Sequence, residues 1–127
     1  MNKEFIPYEQ ALELKELGFD ETCLAWHNSG RLFIDNYNAI NSKMDFDFCC
    51  ALPLYQQAFR WFREKYGLYS EIFVDDNKTF GFYITSFIEE GRLDKPITRQ
   101  FNTYEEAELG CVKQLIEIID RKAEAYS

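Results

Sequence analysis

Leu52-Pro53-Leu54-Tyr55-Gln56-Gln57-Ala58-Phe59-Arg60-Trp61-Phe62-Arg63-Glu64-Lys65-Tyr66-Gly67 is the stretch whose reading decides the fold. Tyr55, Ala58, Phe59, Phe62 and Tyr66 fall at i, i+3, i+4, i+7 and i+11, which is one face of a helix. Leu54 and Trp61 widen that face, and Gln56, Arg60, Arg63 and Glu64 take the other side. Pro53 suits the first helical position, where its missing N–H is not needed. Gly67 suits the residue past the last turn, where a left-handed backbone is common. So much aromatic surface on one helix can seed a core.

Upstream, Ile6 to Gly18 repeats the design, with Pro7 at the start and Gly18 at the stop. Tyr8, Ala11, Leu12, Leu14 and Leu17 make its apolar side, and Glu9, Glu13 and Glu16 its wet side. Leu24 and Trp26 then alternate with Cys23, Ala25 and His27, and Asn28-Ser29-Gly30 is turn chemistry, so a hairpin returning through Leu32, Phe33 and Ile34 is expected. Asp35 to Ala51 is the least regular stretch. Asn36, Asn38, Asn41 and Ser42 read as loop, followed by a short strand in which Met44, Phe46 and Phe48 alternate with Asp45 and Asp47. A loop of this length is often a functional one.

Downstream of the central helix a second hairpin is expected. Ile72 and Val74 lead to a turn at Asp76-Asn77, and Phe80, Phe82 and Ile84 return. Aromatic residues on both faces of the returning strand argue that it is central in its sheet. Gly81 within it relieves crowding or marks a bulge. Glu89 to Pro96 is a polar loop, and Ile97 to Phe101 a candidate fifth strand. Thr103-Tyr104-Glu105-Glu106 is a capping box that opens the last helix. In that helix Cys111 falls inside the apolar stripe. Gly110 costs about 1 kcal/mol relative to alanine, so close packing against its backbone is expected.

The resulting class is α+β: a mainly antiparallel sheet of four to five strands, with three helices in the order αββ-αββ-α packed mostly on one face. The helices open alike, at Tyr8-Glu9-Gln10-Ala11, Tyr55-Gln56-Gln57-Ala58 and Tyr104-Glu105-Glu106-Ala107. Internal pseudo-symmetry is one reading of that echo. The commoner one is that such residues suit a first turn lying on a sheet. At 127 residues, one globular domain over 1–127 is the default.

Composition narrows the function classes. The chain is 46% hydrophobic and 17% aromatic, too apolar for a disordered segment. No apolar run approaches the ~20 residues of a membrane helix, and the first residues carry no signal-peptide pattern, so a cytoplasmic protein without membrane contact is expected. The net charge of −8, with no basic cluster, argues against direct nucleic-acid binding. Four cysteines (Cys23, Cys49, Cys50, Cys111) without C-x-x-C spacing and one histidine, His27, do not make a zinc motif. Reduced thiols and no metal or cofactor are expected, and no dinucleotide, P-loop, zincin or nucleophile-elbow motif is present.

Ile6-Pro7-Tyr8-Glu9-Gln10-Ala11-Leu12, Leu14-Lys15, Leu17-Gly18-Phe19-Asp20, Leu52 to Leu68 and Tyr104-Glu105-Glu106-Ala107-Glu108 resemble a group of small uncharacterised proteins from bacteriophage and prophage genomes. The likeness covers about a third of the chain. It implies a phage or mobile-element origin and action inside the host cell, and it brings no catalytic residues.

A non-enzymatic accessory protein that binds an unidentified host or phage protein is therefore the leading expectation. Its contact candidates are Trp26, Tyr37, Asp45, Phe46, Asp47 and Trp61. The alternatives are an acidic mimic of nucleic acid, built on Glu9, Glu13, Glu16, Asp20 and Glu21, and a minor virion or assembly protein. An enzyme would have to draw on Asp45 with Asp47, His27 and the adjacent Cys49 and Cys50, from which the usual nucleophile, base and orienting group do not assemble.

Overall fold

The computed structural model describes residues 2–44, 49–86 and 95–125. Among the described residues three α-helices and six strands follow one another: α1 (Tyr8–Glu16), β1 (Cys23–Asn28), β2 (Arg31–Ala39), β3 (Cys50–Leu52), α2 (Tyr55–Tyr66), β4 (Leu68–Val74), β5 (Phe80–Ser86), β6 (Lys95–Phe101) and α3 (Tyr104–Ala125). The class is α+β with antiparallel pairing throughout. The single sheet of four to five strands is not what forms. The strands make two three-stranded sheets, ordered β2-β1-β3 and β4-β5-β6. The chain divides into two compact units, Met1–Ala58 and Phe59–Ser127, with the boundary inside α2.

In the first unit, Ser29 (φ 51) and Gly30 (φ 83) make the two-residue turn of the β1–β2 hairpin. Both central residues in the left-handed region is the turn that matches the natural twist of a hairpin. The strand runs on to Ala39, so the asparagines read as loop at Asn36 and Asn38 lie within β2. The register shifts between Cys23, which pairs with Ala39, and Ala25, which pairs with Ile34. The short strand expected over Met44 to Phe48 lies, apart from Met44, outside the described residues, and the sequence does not announce β3, whose three fully buried residues carry no alternation. The Pro53 carbonyl accepts the Ile6 N–H at 2.9 Å, and Leu54 bridges Phe5, so Pro53 stands before α2 rather than at its first position. α1 packs on β3, and Gly18 (φ 97) ends it with its N–H on the Lys15 carbonyl.

Asn41 ties this unit together. Buried in a short 3-10 turn, it donates from Nδ2 to the Phe19 carbonyl at 2.8 Å and accepts the Ala51 N–H on Oδ1 at 2.9 Å. One side chain satisfies two buried backbone groups on separate stretches. Asp20 accepts the neighbouring Ser42 N–H at 2.7 Å.

In the second unit β5 is central, as its two aromatic faces predict. Asp75 organises the β4–β5 turn by accepting the Asn77 N–H at 2.8 Å and the Thr79 hydroxyl at 2.6 Å. α3 lies on the sheet, its Ala107, Cys111, Val112 and Leu115 fully buried. Thr103 caps it by accepting the Glu106 N–H at 3.1 Å, while Glu106 reaches back one residue beyond the cap, to the Asn102 N–H at 3.3 Å. Each unit sets a helix before three strands, but β1 is central in the first sheet and β5 in the second, so the two do not share a strand order.

Candidate functional site

The first-unit hairpin presents an aromatic strip. Leu24, Trp26 and Asn28 share one face of β1, because alternate residues of a strand point the same way. Phe33 pairs with Trp26 and Arg31 with Asn28, which puts both on that face. The Trp26 and Phe33 rings stack with centroids 4.6 Å apart and planes 21° from parallel. Leu24 and Phe33 remain 38% and 37% exposed, and Arg31 is exposed at the turn end. On the opposite face Cys23 and Ala25 are buried. The strip is open along β1 and β2 and covered at β3, where Ala51, opposite Trp26, is fully buried; on the other face Ile34, opposite Ala25, is itself 63% exposed.

The remaining contact candidates fall elsewhere. Trp61 is only 6% exposed, with its ring edge-on to Phe62 and Tyr66 and the Lys65 ammonium 5.0 Å from its centroid. Tyr37 lies in β2, with its side chain outside the described residues. Asp45, Phe46 and Asp47 lie outside the described residues, as do Phe48 and most of the polar loop before β6. Sequence reading missed Phe33 and Arg31. The signal was present: a two-residue turn at Ser29-Gly30 forces Trp26 opposite Phe33 and Asn28 opposite Arg31.

The groups considered for catalysis do meet in part. His27 and Cys50 are cross-strand partners on β1 and β3, and the Tyr8 ring stacks on His27 at 4.0 Å. Their ionisation runs opposite to that of a cysteine–histidine pair. Burial pushes the Cys50 thiol up to about 12, a shift that the nearby Lys15 charge only partly offsets. Burial also pushes His27 below its ordinary value, and its Nδ1 is buried without a hydrogen-bond partner. A reactive dyad needs a stabilised thiolate beside an imidazolium, and this setting disfavours both charges. Cys23 and Cys111 are likewise raised to about 12, mainly by burial. Among the described residues no group of three His, Cys, Asp or Glu side chains could hold a metal ion.

Of the acidic row, Glu9, Glu13 and Glu16 share a helical face on α1. Asp20 and Glu21 are engaged locally, by the Ser42 N–H and by the Gln57 amide at 3.4 Å. In the second unit an open groove of about 620 Å³ runs along α3, lined by Phe82 and Phe101 together with Lys113 and Gln114. Its carboxylates have other duties: Glu106 caps the helix and Glu117 pairs with Arg121. Among the described residues no helix is long and apolar enough to cross a membrane. No protein-family model matches the chain, and no curated protein or solved structure matches it.

Proposed function

We propose that the chain is a small non-enzymatic binding protein that engages a protein partner through the outer face of its first hairpin. The Trp26–Phe33 stack carries this reading. Aromatic and arginine side chains supply most of the energy at protein interfaces, and here Trp26, Phe33 and Arg31 lie on one sheet face with Leu24. A two-stranded aromatic platform loses little conformational entropy on binding, because its rings already hold one another. The raised thiols and the lowered histidine support binding over chemistry. The likeness to phage and prophage proteins suggests an accessory protein, with the partner a host or phage protein in the host cytoplasm.

The test is capture from host and phage-infected lysate, with and without nuclease, by the tagged chain and by Phe33→Ser and Arg31→Glu variants. The expected result is one stoichiometric protein that survives nuclease and is lost from both variants. Equal capture by the variants, or an empty capture, overturns the hairpin face. A captured nucleic-acid-binding protein that added DNA releases would favour the acidic mimic instead. Recovery of the chain in purified virions would favour an assembly role.

A further inference from the structure

The second unit carries another exposed aromatic face, built around a carboxylate. Pairing of β4 with β5 sets Leu68 opposite Ser86, Ser70 opposite Ile84 and Ile72 opposite Phe82 on one side. Leu68, Phe82, Ile84 and Ser86 are buried there. The other side holds Tyr69 opposite Thr85, Glu71 opposite Tyr83 and Phe73 opposite Gly81. Tyr69 and Tyr83 are 43% and 40% exposed. The Phe73 and Tyr83 rings lie 4.6 Å apart and 30° from parallel, with Phe73 spread over Gly81. Glu71 is exposed, stands directly across from Tyr83, and has Tyr69 and Phe73 as its same-face neighbours on β4. No ion pair engages Glu71 among the described residues.

We propose that this face docks a basic polypeptide segment, seating an arginine or lysine side chain on the Phe73 and Tyr83 rings with its charge against Glu71. The electron-rich ring face attracts a cation, and the neighbouring carboxylate adds a direct charge term. The net charge of −8 draws a basic chain toward the protein from a distance. An acidic or purely apolar partner would instead desolvate Glu71 without compensation. A neutral sugar could stack on the rings, but it would gain nothing from the protein's charge. The surface uses residues of the second unit alone. It rests on the reading of the chain as a binding protein, and it adds the chemical class of a partner.

The experiment titrates the isotope-labelled full chain with a polyarginine peptide and follows the amide resonances. Shifts concentrated at Tyr69 to Phe73 and Gly81 to Thr85 are expected. Glu71→Gln and Tyr83→Leu should each weaken binding about two- to fivefold, the range for an exposed cation–π contact. Glu9→Gln, a charge loss on α1, and Phe33→Ser on the hairpin should leave it unchanged. Failure of this face is thus separable from failure of the hairpin. The proposal is overturned if Glu71→Gln and Tyr83→Leu bind like the wild type, or if Glu9→Gln weakens binding equally, which would mean diffuse attraction. It is also overturned if a neutral oligosaccharide moves these resonances and polyarginine does not.

Discussion

Phe101 closes on Gly110. A methyl group built on Gly110 would lie 2.5 Å from the Phe101 Cζ, well inside van der Waals contact. The ring lies 6.0 Å from Phe82, with its plane 30° from parallel, so it packs on the sheet as well as on the helix. Gly110→Ala would gain about 1 kcal/mol of helix propensity. It would also drive a methyl into an aromatic ring, and overpacking of that kind costs about 1–3 kcal/mol. The clash should win, giving net destabilisation in urea unfolding. Phe101→Leu should remove most of that penalty, so the double variant would show strong coupling. Additive effects would mean that the ring swings aside.

Asn41 is the polar counterpart in the first unit. Its amide answers the Phe19 carbonyl and the Ala51 N–H, both within buried surroundings. Asn41→Ala would leave two backbone groups without partners, and each such loss costs about 1–3 kcal/mol. We expect a fall in stability of about that size or more, and faster hydrogen exchange at the Ala51 amide. Asn41→Asp should not rescue it, because a carboxylate cannot donate to Phe19. An Asn41→Ala protein as stable as the wild type would show that water replaces the amide.

What the sequence made legible was local. The capping box, the glycine stops, the turn at Asn28 to Gly30 and the burial of Cys111 each follow from neighbouring residues. Central placement of β5 followed from its two apolar faces. What stayed hidden depended on distant partners. Asn36 and Asn38 have poor strand propensity, yet pairing with β1 carries β2 to Ala39. Cys50 to Leu52 is too short and too evenly buried to announce a strand. Division into two sheets is decided by which edges pair, and no periodicity within a strand encodes that. Trp26 was legible as an aromatic on a strand, and Phe33 only through the register. Trp61 shows the limit of the same cue: an aromatic at a helical position serves a core as readily as a surface, and this one is buried.

The thiols should be inert in the native protein. All four cysteines are buried, and burial holds Cys23, Cys50 and Cys111 up at about 12. Only the thiolate reacts, so a colourless-to-coloured disulfide reagent at neutral pH should modify them no faster than the protein unfolds. Adding urea should raise the rate in parallel with the unfolded fraction. A cysteine that reacts within seconds in native buffer would contradict this, and would reopen the pairing of Cys50 with His27 as chemistry.

Glu108 makes the second unit sensitive to pH. It is 8% exposed on α3, in the stripe formed with Cys111, Val112 and Leu115, and burial with the nearby Glu105 charge raises its carboxyl to about 7. The unfolded chain releases this proton near the ordinary value of 4.5, and the folded chain holds it until about 7. Between those limits the folded state binds more protons, so stability must fall as pH rises. Below them both states are protonated and the contribution is complete. Above them both are charged and it is lost. Glu108→Gln keeps the shape without the charge, so it should be more stable than the wild type at about pH 8 and nearly equal to it at about pH 4. His27 works in the other direction: its lowered value favours the fold above its unfolded value, and that contribution is lost as pH falls through the folded one. The difference between the two proteins across pH, rather than either curve alone, therefore isolates Glu108. A constant difference from acid to alkaline buffer would show that the carboxyl titrates as an exposed one does.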